Sequence, residues 1–279
     1  MSNQLTKISI LLPTRGRTDA LDRSIMSLIN LANDPKNLQL IIAFDNDDQV
    51  SSSYFIDNIA PNITNAGALY TCLEFSPLGY TRLNEYVNKC ADVASGDWLM
   101  FWNDDAFMES ANWDQEIIKH TGEFCCLRMP THNEHPYAIF PIIPKKWHEL
   151  FGYLSAHQIS DAWISQISYM LDIVKNINVK VIHDRHDLTG NNNDETFKNR
   201  VMFEGRPEDP RDFNHLSWRK CRLNDAIKIS QYLDSVGQDT TWFRNVLALT
   251  QDPWETMTSP EFDPNKQLKK FKVPNVSRN

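Results

Sequence analysis

The chain has 279 residues, 41% hydrophobic and 23% charged, proportions of an ordinary globular domain that exclude a disulfide-framed miniprotein and a largely disordered chain. Its 28 lysines and arginines stand against 36 acidic residues, a net charge of −8, so phosphate backbones exert no overall electrostatic pull on it. Five scattered cysteines without paired metal-binding spacing read as reduced thiols and imply a cytoplasmic protein, and no apolar run approaches the roughly 18 residues of a membrane span.

Ile8-Ser9-Ile10-Leu11-Leu12 reads as a buried strand, stopped by Pro13-Thr14-Arg15-Gly16-Arg17. Leu21, Ile25, Leu28 and Ile29 follow at helical spacing, with Thr18 as the candidate cap and Asp19 and Asp22 in the first turn. Leu38 to Phe44 is a second strand, ending in Asp45-Asn46-Asp47-Asp48, and the alternation predicts a βαβ unit in a parallel sheet. After a polar stretch comes a third strand, Leu69 to Phe75, closed by Pro77 and Gly79. Leu83, Tyr86, Val87, Cys90 and Ala91 then line one face of a helix that leaves Arg82, Asn84 and Glu85 on its other faces. Trp98 to Trp102, apolar on both faces, suits a central strand and ends at Asn103-Asp104-Asp105. Open parallel sheets bind ligands beyond the carboxyl ends of their strands, so the clusters at Thr14 to Arg17, Asp45 to Asp48 and Asn103 to Asp105 are expected to meet on one edge.

Phe124 to Met129 and Ala138 to Ile143 are the next predicted strands, followed by Lys145 to Phe151, a helix from about Asp161 to Ile173, and a last strand, Val179 to Ile182, before His183. Cys125 and Cys126 with His132 and His135 invite a zinc reading. Adjacent residues of a strand point to opposite faces, however, so the two are read as core thiols. From Gly190 the chain turns polar, and a mobile loop is expected over about Asp187 to Phe197. From about Trp218 the pattern is helical, ending in a basic tail, Lys269 to Arg278. The expected organisation is an α/β domain over residues 1–190 and, over 191–279, the loop and a helical C-terminal extension whose helices offer a surface for homo-oligomers.

The order of Pro13-Thr-Arg-Gly-Arg17, Asp45, Gly79-Tyr-Thr-Arg-Leu-Asn84 and Gly96-Asp-Trp-Leu-Met-Phe-Trp-Asn-Asp-Asp105 resembles the nucleotide-sugar glycosyltransferases of the GT-A fold, closest to family 2. Pro144-Lys-Lys-Trp-His-Glu-Leu-Phe-Gly-Tyr-Leu, followed by Ile159-Ser-Asp-Ala-Trp163, is similar to that family's acceptor-side block. The likeness covers roughly residues 7 to 187. It implies a Rossmann-like, mostly parallel sheet flanked by helices, and sugar transfer from a nucleotide-sugar donor, UDP-linked by resemblance alone, to a carbohydrate or other hydroxyl acceptor.

By the same resemblance Asn103-Asp104-Asp105 stands in the Asp-X-Asp position, with Asp105 as the ligand of Mn²⁺ or Mg²⁺ and Asn103 a departure at the first place. His183 matches a C-terminal metal-ligating histidine, with His186 as its rival. Pro13, Thr14, Arg15, Arg17, Asp45, Asn103 and Asp104 would bind the donor, and Arg82 would reach its diphosphate. Asp161 would be the general base of an inverting transfer, set against a purely structural use of Ser160 or Asp161 as a helix cap. Trp147, Tyr153 and Trp163 suit stacking on sugars and equally a large core.

Three other functions fit parts of the pattern. A nucleotidyltransferase would want a glycine-rich first loop, where this chain has only Gly16. A noncatalytic carbohydrate-binding or assembly protein would retain the fold without turnover. A glycosyltransferase acting on nucleic acid would use the tail at Lys269-Lys270-Phe271-Lys272 with Arg219 and Arg222 as its docking surface.

Overall fold

The computed structural model describes residues 7–131, 135, 137–185 and 206–249. The expected loop over about 187–197, His132, His186 and the basic tail lie outside the described residues.

Strand β1 (Ile8–Thr14) leads into helix α1 (Thr18–Leu31), then β2 (Leu38–Asp45). Two short helices, α2 (Gln49–Tyr54) and α3 (Ala60–Asn65), precede β3 (Leu69–Phe75), α4 (Leu83–Asp92) and β4 (Trp98–Phe101). Next come β5 (Ala106–Met108), α5 (Trp113–Ile118), β6 (Cys126–Arg128), β7 (Ile142–Pro144), α6 (Lys145–Phe151), α7 (Ser160–Met170), β8 (Val174–Asn176) and β9 (Val181–His183). Helices α8 (Leu216–Ser235) and α9 (Thr241–Leu249) follow. The main sheet runs β3-β2-β1-β4-β7-β6-β8, with β3, β2, β1 and β4 mutually parallel and β7 antiparallel to β4. Strands β5 and β9 form a separate antiparallel pair. This is a Rossmann-like α/β architecture, with helices covering both faces of a mostly parallel sheet.

The two-residue period of β1 sorts its side chains between two cores. Ile8, Ile10 and Leu12 pack with Leu21, Ile25 and Leu28 of α1, while Leu11 joins Tyr86, Val87 and Cys90 of α4 on the opposite face. Where the strands begin, buried Ser9 donates to Gln39 Oε1 at 2.7 Å, and the same oxygen accepts from the Ser95 backbone N–H at 2.8 Å. Gly96 passes so close that a Cβ there would lie 2.7 Å from the Ser9 nitrogen, which explains a glycine at the entrance to β4.

Several elements differ from the expectation. The strand foreseen over Ala138 to Ile143 begins only at Ile142, because the Ala138 N–H is taken by Ser165 Oγ of α7 at 3.0 Å rather than by a neighbouring strand. Thr18 lies inside α1; Arg17 holds the N-cap position, with no side-chain cap bond. The polar stretch after Asp48 is helical, since Asp48 Oδ1 accepts the Ser51 N–H at 3.2 Å and caps α2. Cys125 and Cys126 are buried, and burial pushes both thiols up to about 12.

The C-terminal helix α8 shares a core with the sheet. Ala226, Ile229 and Leu233 are buried with Leu11 and Ile41, and the helix packs on α7 and α6, so its apolar face is covered within the chain. Arg222 of α8 is fully buried, 3.9 Å above the Phe213 ring, with Nη1 donating to the Phe213 carbonyl at 2.9 Å. It cannot belong to the nucleic-acid docking surface that its sequence position suggested. Trp147 and Trp163 are likewise fully buried, so both belong to the core.

Asp225 fastens α8 to its neighbours by accepting from Tyr153 Oη at 2.8 Å and Trp163 Nε1 at 3.2 Å. Burial raises its carboxyl to about 6, against the pull of these two hydrogen bonds. The folded state thus holds this proton more tightly than the unfolded chain, where an aspartate titrates near ~3.9. Its contribution favours folding at low pH and is lost as pH rises from about 4 through about 6. Asp225→Asn is expected to flatten that part of the pH–stability curve and to gain about 1–2 kcal/mol over the native chain near neutrality. Urea unfolding at acid and neutral pH measures this, and an unchanged slope would place the proton elsewhere.

Candidate active site

The carboxyl ends of β1, β2 and β4 open into a cleft of about 440 Å³. Gly16, at φ +67°, turns the chain after β1, and its N–H donates to Asp48 Oδ2 at 2.7 Å and Ser51 Oγ at 3.1 Å, tying this turn to the one after β2. Arg15 then reaches across the sheet edge. Its guanidinium donates to Asp45 Oδ2 at 2.8 Å and forks onto both carboxylate oxygens of Asp47, with Nη2 at 2.9 Å from Oδ2. The hydrogen bond to Asp47 is the main reason Arg15 is held still more firmly in its charged form. Tyr86 Oη donates to Asp45 Oδ1 and accepts from the Leu78 N–H at 2.9 Å. Burial and the bond to Asp45 raise that phenol to about 12, so it stays a donor. Leu11, Ala43, Leu83 and Val87 line this end with apolar surface beside Tyr80.

The next cluster is more deeply buried. Thr14 Oγ1 donates to Asp104 Oδ2 at 2.7 Å, while Arg17 places Nη2 2.6 Å from Asp104 Oδ1 and Nη1 3.3 Å from Asp105 Oδ2. His183 arrives from far along the chain because β5 and β9 pair with Ala106 opposite His183, and the Asp184 N–H donates to the Asp105 carbonyl at 2.8 Å. That register sets His183 Nε2 3.3 Å from Asp105 Oδ1. Burial disfavours the Asp105 carboxylate, but its contacts with His183 and Arg17 outweigh that and hold its carboxyl below the usual range.

Asp161 lines the same cleft, as do His135, Tyr137, Gln158 and Arg185. It sits in the first turn of α7, where a carboxylate is favoured by the helix dipole. The N-cap is Ile159, without a side-chain cap bond, and Ser160 Oγ donates to the His157 carbonyl at 3.2 Å. Neither residue therefore caps α7, contrary to the structural alternative read from the sequence. The loop before α7 is braced from α4: Asn88 Oδ1 accepts from the Leu154 and Ser155 N–H groups at 2.8 and 3.2 Å. His157 stiffens the same loop, accepting from the Ile159 N–H at 3.2 Å through Nδ1 and facing the Arg211 carbonyl at 3.0 Å through Nε2. Burial lowers this imidazole to about 4, and the neutral tautomer with its proton on Nε2 satisfies both contacts.

The donor set fits a hard divalent cation. In octahedral coordination with bonds near ~2.1 Å, adjacent ligand atoms lie about 3 Å apart, close to the 3.3 Å between Asp105 Oδ1 and His183 Nε2. Among the described residues no group of three or more His, Cys, Asp or Glu side chains could hold a metal unaided. Such a site would depend on diphosphate oxygens to complete the shell, as Mg²⁺ and Mn²⁺ sites with one or two protein carboxylates commonly do.

Pro13, Thr14, Arg15, Arg17, Asp45, Asn103, Asp104, Asp105, Asp161 and His183 all line this one cleft. Arg82 does not; it precedes α4, faces outward and pairs with Glu85 of that helix. Sequence reasoning missed Tyr86, assigned to the apolar face of α4, as the partner of Asp45. It also missed Tyr137 and Arg185, which carry no local pattern to mark them.

No protein-family model matches the chain, and no curated protein does. Among solved structures, a mannosyltransferase from Pyrobaculum calidifontis, PcManGT, in complex with GDP-Man and Mn²⁺, aligns over 94% of this chain and 85% of its own, at 10% identity and a TM-score of 0.51. TarS of S. aureus aligns over 97% of this chain and 50% of its own, at 13% identity and a TM-score of 0.48. A shorter form, TarS 1–349 in complex with UDP, aligns over 64% of this chain and 59% of its own at 14% identity and a TM-score of 0.46. The chain thus spans little more than half the length of the TarS chains. Sheet order, the cleft at the strand ends and the PcManGT superposition agree: the chain has the GT-A glycosyltransferase fold.

Proposed function

We propose that the chain transfers a sugar from a UDP-sugar to an acceptor hydroxyl, with a divalent cation and with inversion at the anomeric carbon. The observation that carries this reading is a single cleft lined both by a buried acidic and basic cluster at the strand ends and by Asp161. Arg15 and Asp45 present a donor beside an acceptor to the nucleoside, over an apolar floor. Arg17 offers donors to the diphosphate, beside Thr14, whose hydroxyl proton holds Asp104 in place. Asp105 and His183 would hold the cation, and a nitrogen in the set favours Mn²⁺ over Mg²⁺. A bound cation supplies charge neutralisation for the departing nucleoside diphosphate. As the acceptor oxygen bonds to the anomeric carbon and the bond to the diphosphate breaks, the hydroxyl proton passes to the Asp161 carboxylate. No described helix is long and apolar enough to cross a membrane, and the cysteines are free thiols, which fits the cytoplasmic location we propose.

Thermal unfolding with nucleotides tests the reading. UDP with Mn²⁺ is expected to raise the melting temperature by about 5 °C, and UDP alone by clearly less, because the cation adds positive charge between the aspartates and the diphosphate. Equal shifts with and without Mn²⁺ would refute metal dependence, and a larger shift with GDP would replace the uridine assignment. Mn²⁺-dependent hydrolysis of a UDP-sugar separates an enzyme from a noncatalytic carbohydrate binder on the same fold.

A further inference from the structure

We infer that Arg17 is a built-in counter-cation of the acidic pair, one that a metal ion must displace and a diphosphate draws away, so that the cleft loads metal and nucleotide together. The inference rests on the function proposed above and concerns how that same site is regulated.

Asp104 and Asp105 are 1% and 6% exposed, and two adjacent carboxylates so buried require a cation. The Arg17 guanidinium serves both, at 2.6 Å from Asp104 and 3.3 Å from Asp105. Its planar fork spans two acceptors as an ammonium cannot. The Asp105 oxygen it contacts is Oδ2, whereas His183 faces Oδ1. Metal on the Asp105–His183 side would therefore share one carboxylate with Arg17, whose two-acceptor grip on Asp104 and Asp105 has to be released as the metal binds.

The resting place of Arg17 is fixed by its backbone. It is the N-cap residue of α1, its carbonyl accepting the Leu21 N–H at 2.9 Å, and the side chain folds over the strand ends. The guanidinium, at 21% exposure, still reaches the cleft that it lines. A diphosphate there offers it a second set of oxygens and neutralises the metal that takes its place at Asp105. Metal without nucleotide pays the full cost of displacing Arg17.

The test is Mn²⁺ binding by electron paramagnetic resonance, with and without UDP, in the native chain, Arg17→Lys and Arg17→Met. The native chain is expected to bind Mn²⁺ at least ten-fold more tightly with UDP than without. Nucleotide-free Mn²⁺ affinity should rise about ten-fold in Arg17→Met. It should also rise several-fold in Arg17→Lys, which keeps the charge but loses the fork. Simple charge repulsion predicts a rise in Arg17→Met only, so an unchanged Arg17→Lys overturns the inference, as does an unchanged Arg17→Met. If both variants fail to fold, the ¹⁵N-arginine spectrum of the native chain decides. Mg²⁺ with UDP should shift the Arg17 side-chain resonance, and a resonance that stays fixed while nucleotide binds overturns the inference. Absence of UDP and Mn²⁺ binding to the native chain would instead sink the function proposed above.

Discussion

Asp161→Asn is expected to lower sugar transfer by about 10²–10⁴-fold while leaving UDP affinity in the presence of Mn²⁺ unchanged, because a neutral amide cannot take the acceptor proton. The structure sharpens this expectation. A capping aspartate would tolerate Asn at a cost of a few tenths of a kcal/mol, but the N-cap of α7 is Ile159 and Asp161 lines the same cleft as the acidic cluster. The stability change should be small, with the interaction of the carboxylate with the first turn of α7 contributing about 0.3–1 kcal/mol. Transfer rate and UDP affinity measured on the same preparation decide the matter. Near-native transfer would refute the base assignment, and weakened UDP binding with normal turnover of bound donor would move Asp161 into the nucleotide site.

Asp105→Ala should abolish Mn²⁺-stimulated turnover, by about 10²-fold or more, since it removes the carboxylate that joins His183 in the candidate metal set. As an open strand-end residue, Asp105 would be removed with little loss of fold. Its burial changes that. The substitution strips both His183 and Arg17 of their contact with this carboxylate, and breaking a buried pair from one side costs about 3 kcal/mol. Because the folded-state Asp105 carboxyl is held below its usual range, this stabilisation is present above the ordinary carboxylate range and is lost as pH falls below it. The variant should accordingly lose less stability on acidification than the native chain. Turnover with and without a chelator, together with urea unfolding at neutral and acid pH, checks both halves. Full activity in the presence of a chelator would remove Asp105 from any metal site.

The sequence by itself determined the parallel part of the sheet and the edge where the polar strand ends gather. Runs such as Leu38 to Phe44 and Trp98 to Trp102 are apolar on both faces, which only a strand covered on both sides requires, and each ends abruptly in charge. That contrast is local and needs no partner to be read, so Thr14, Arg15, Arg17, Asp45, Asp104 and Asp105 were all legible. Short elements were not. Strand β5 has three residues and exists because β9 lies beside it, and Ala138 is kept out of β7 by a serine 27 residues further on.

Pairing was decided only by the tertiary structure. Nothing near Arg17 in the sequence says that it bridges Asp104 and Asp105, 87 and 88 residues away; the parallel register of β1 with β4 brings them together. His183 reaches Asp105 through the β5–β9 register, and Tyr86 reaches Asp45 because α4 lies across β1 and β2. Burial was equally invisible. Arg222 looked like ligand-facing surface from its chemistry alone, and the tryptophans at 147 and 163 suited a sugar face and a core equally, but packing α8 onto α6 and α7 put all three inside. Local pattern records which residues a strand or helix can place at its end, whereas the energetic cost of burying a charge is known only when the fold supplies or withholds its partner.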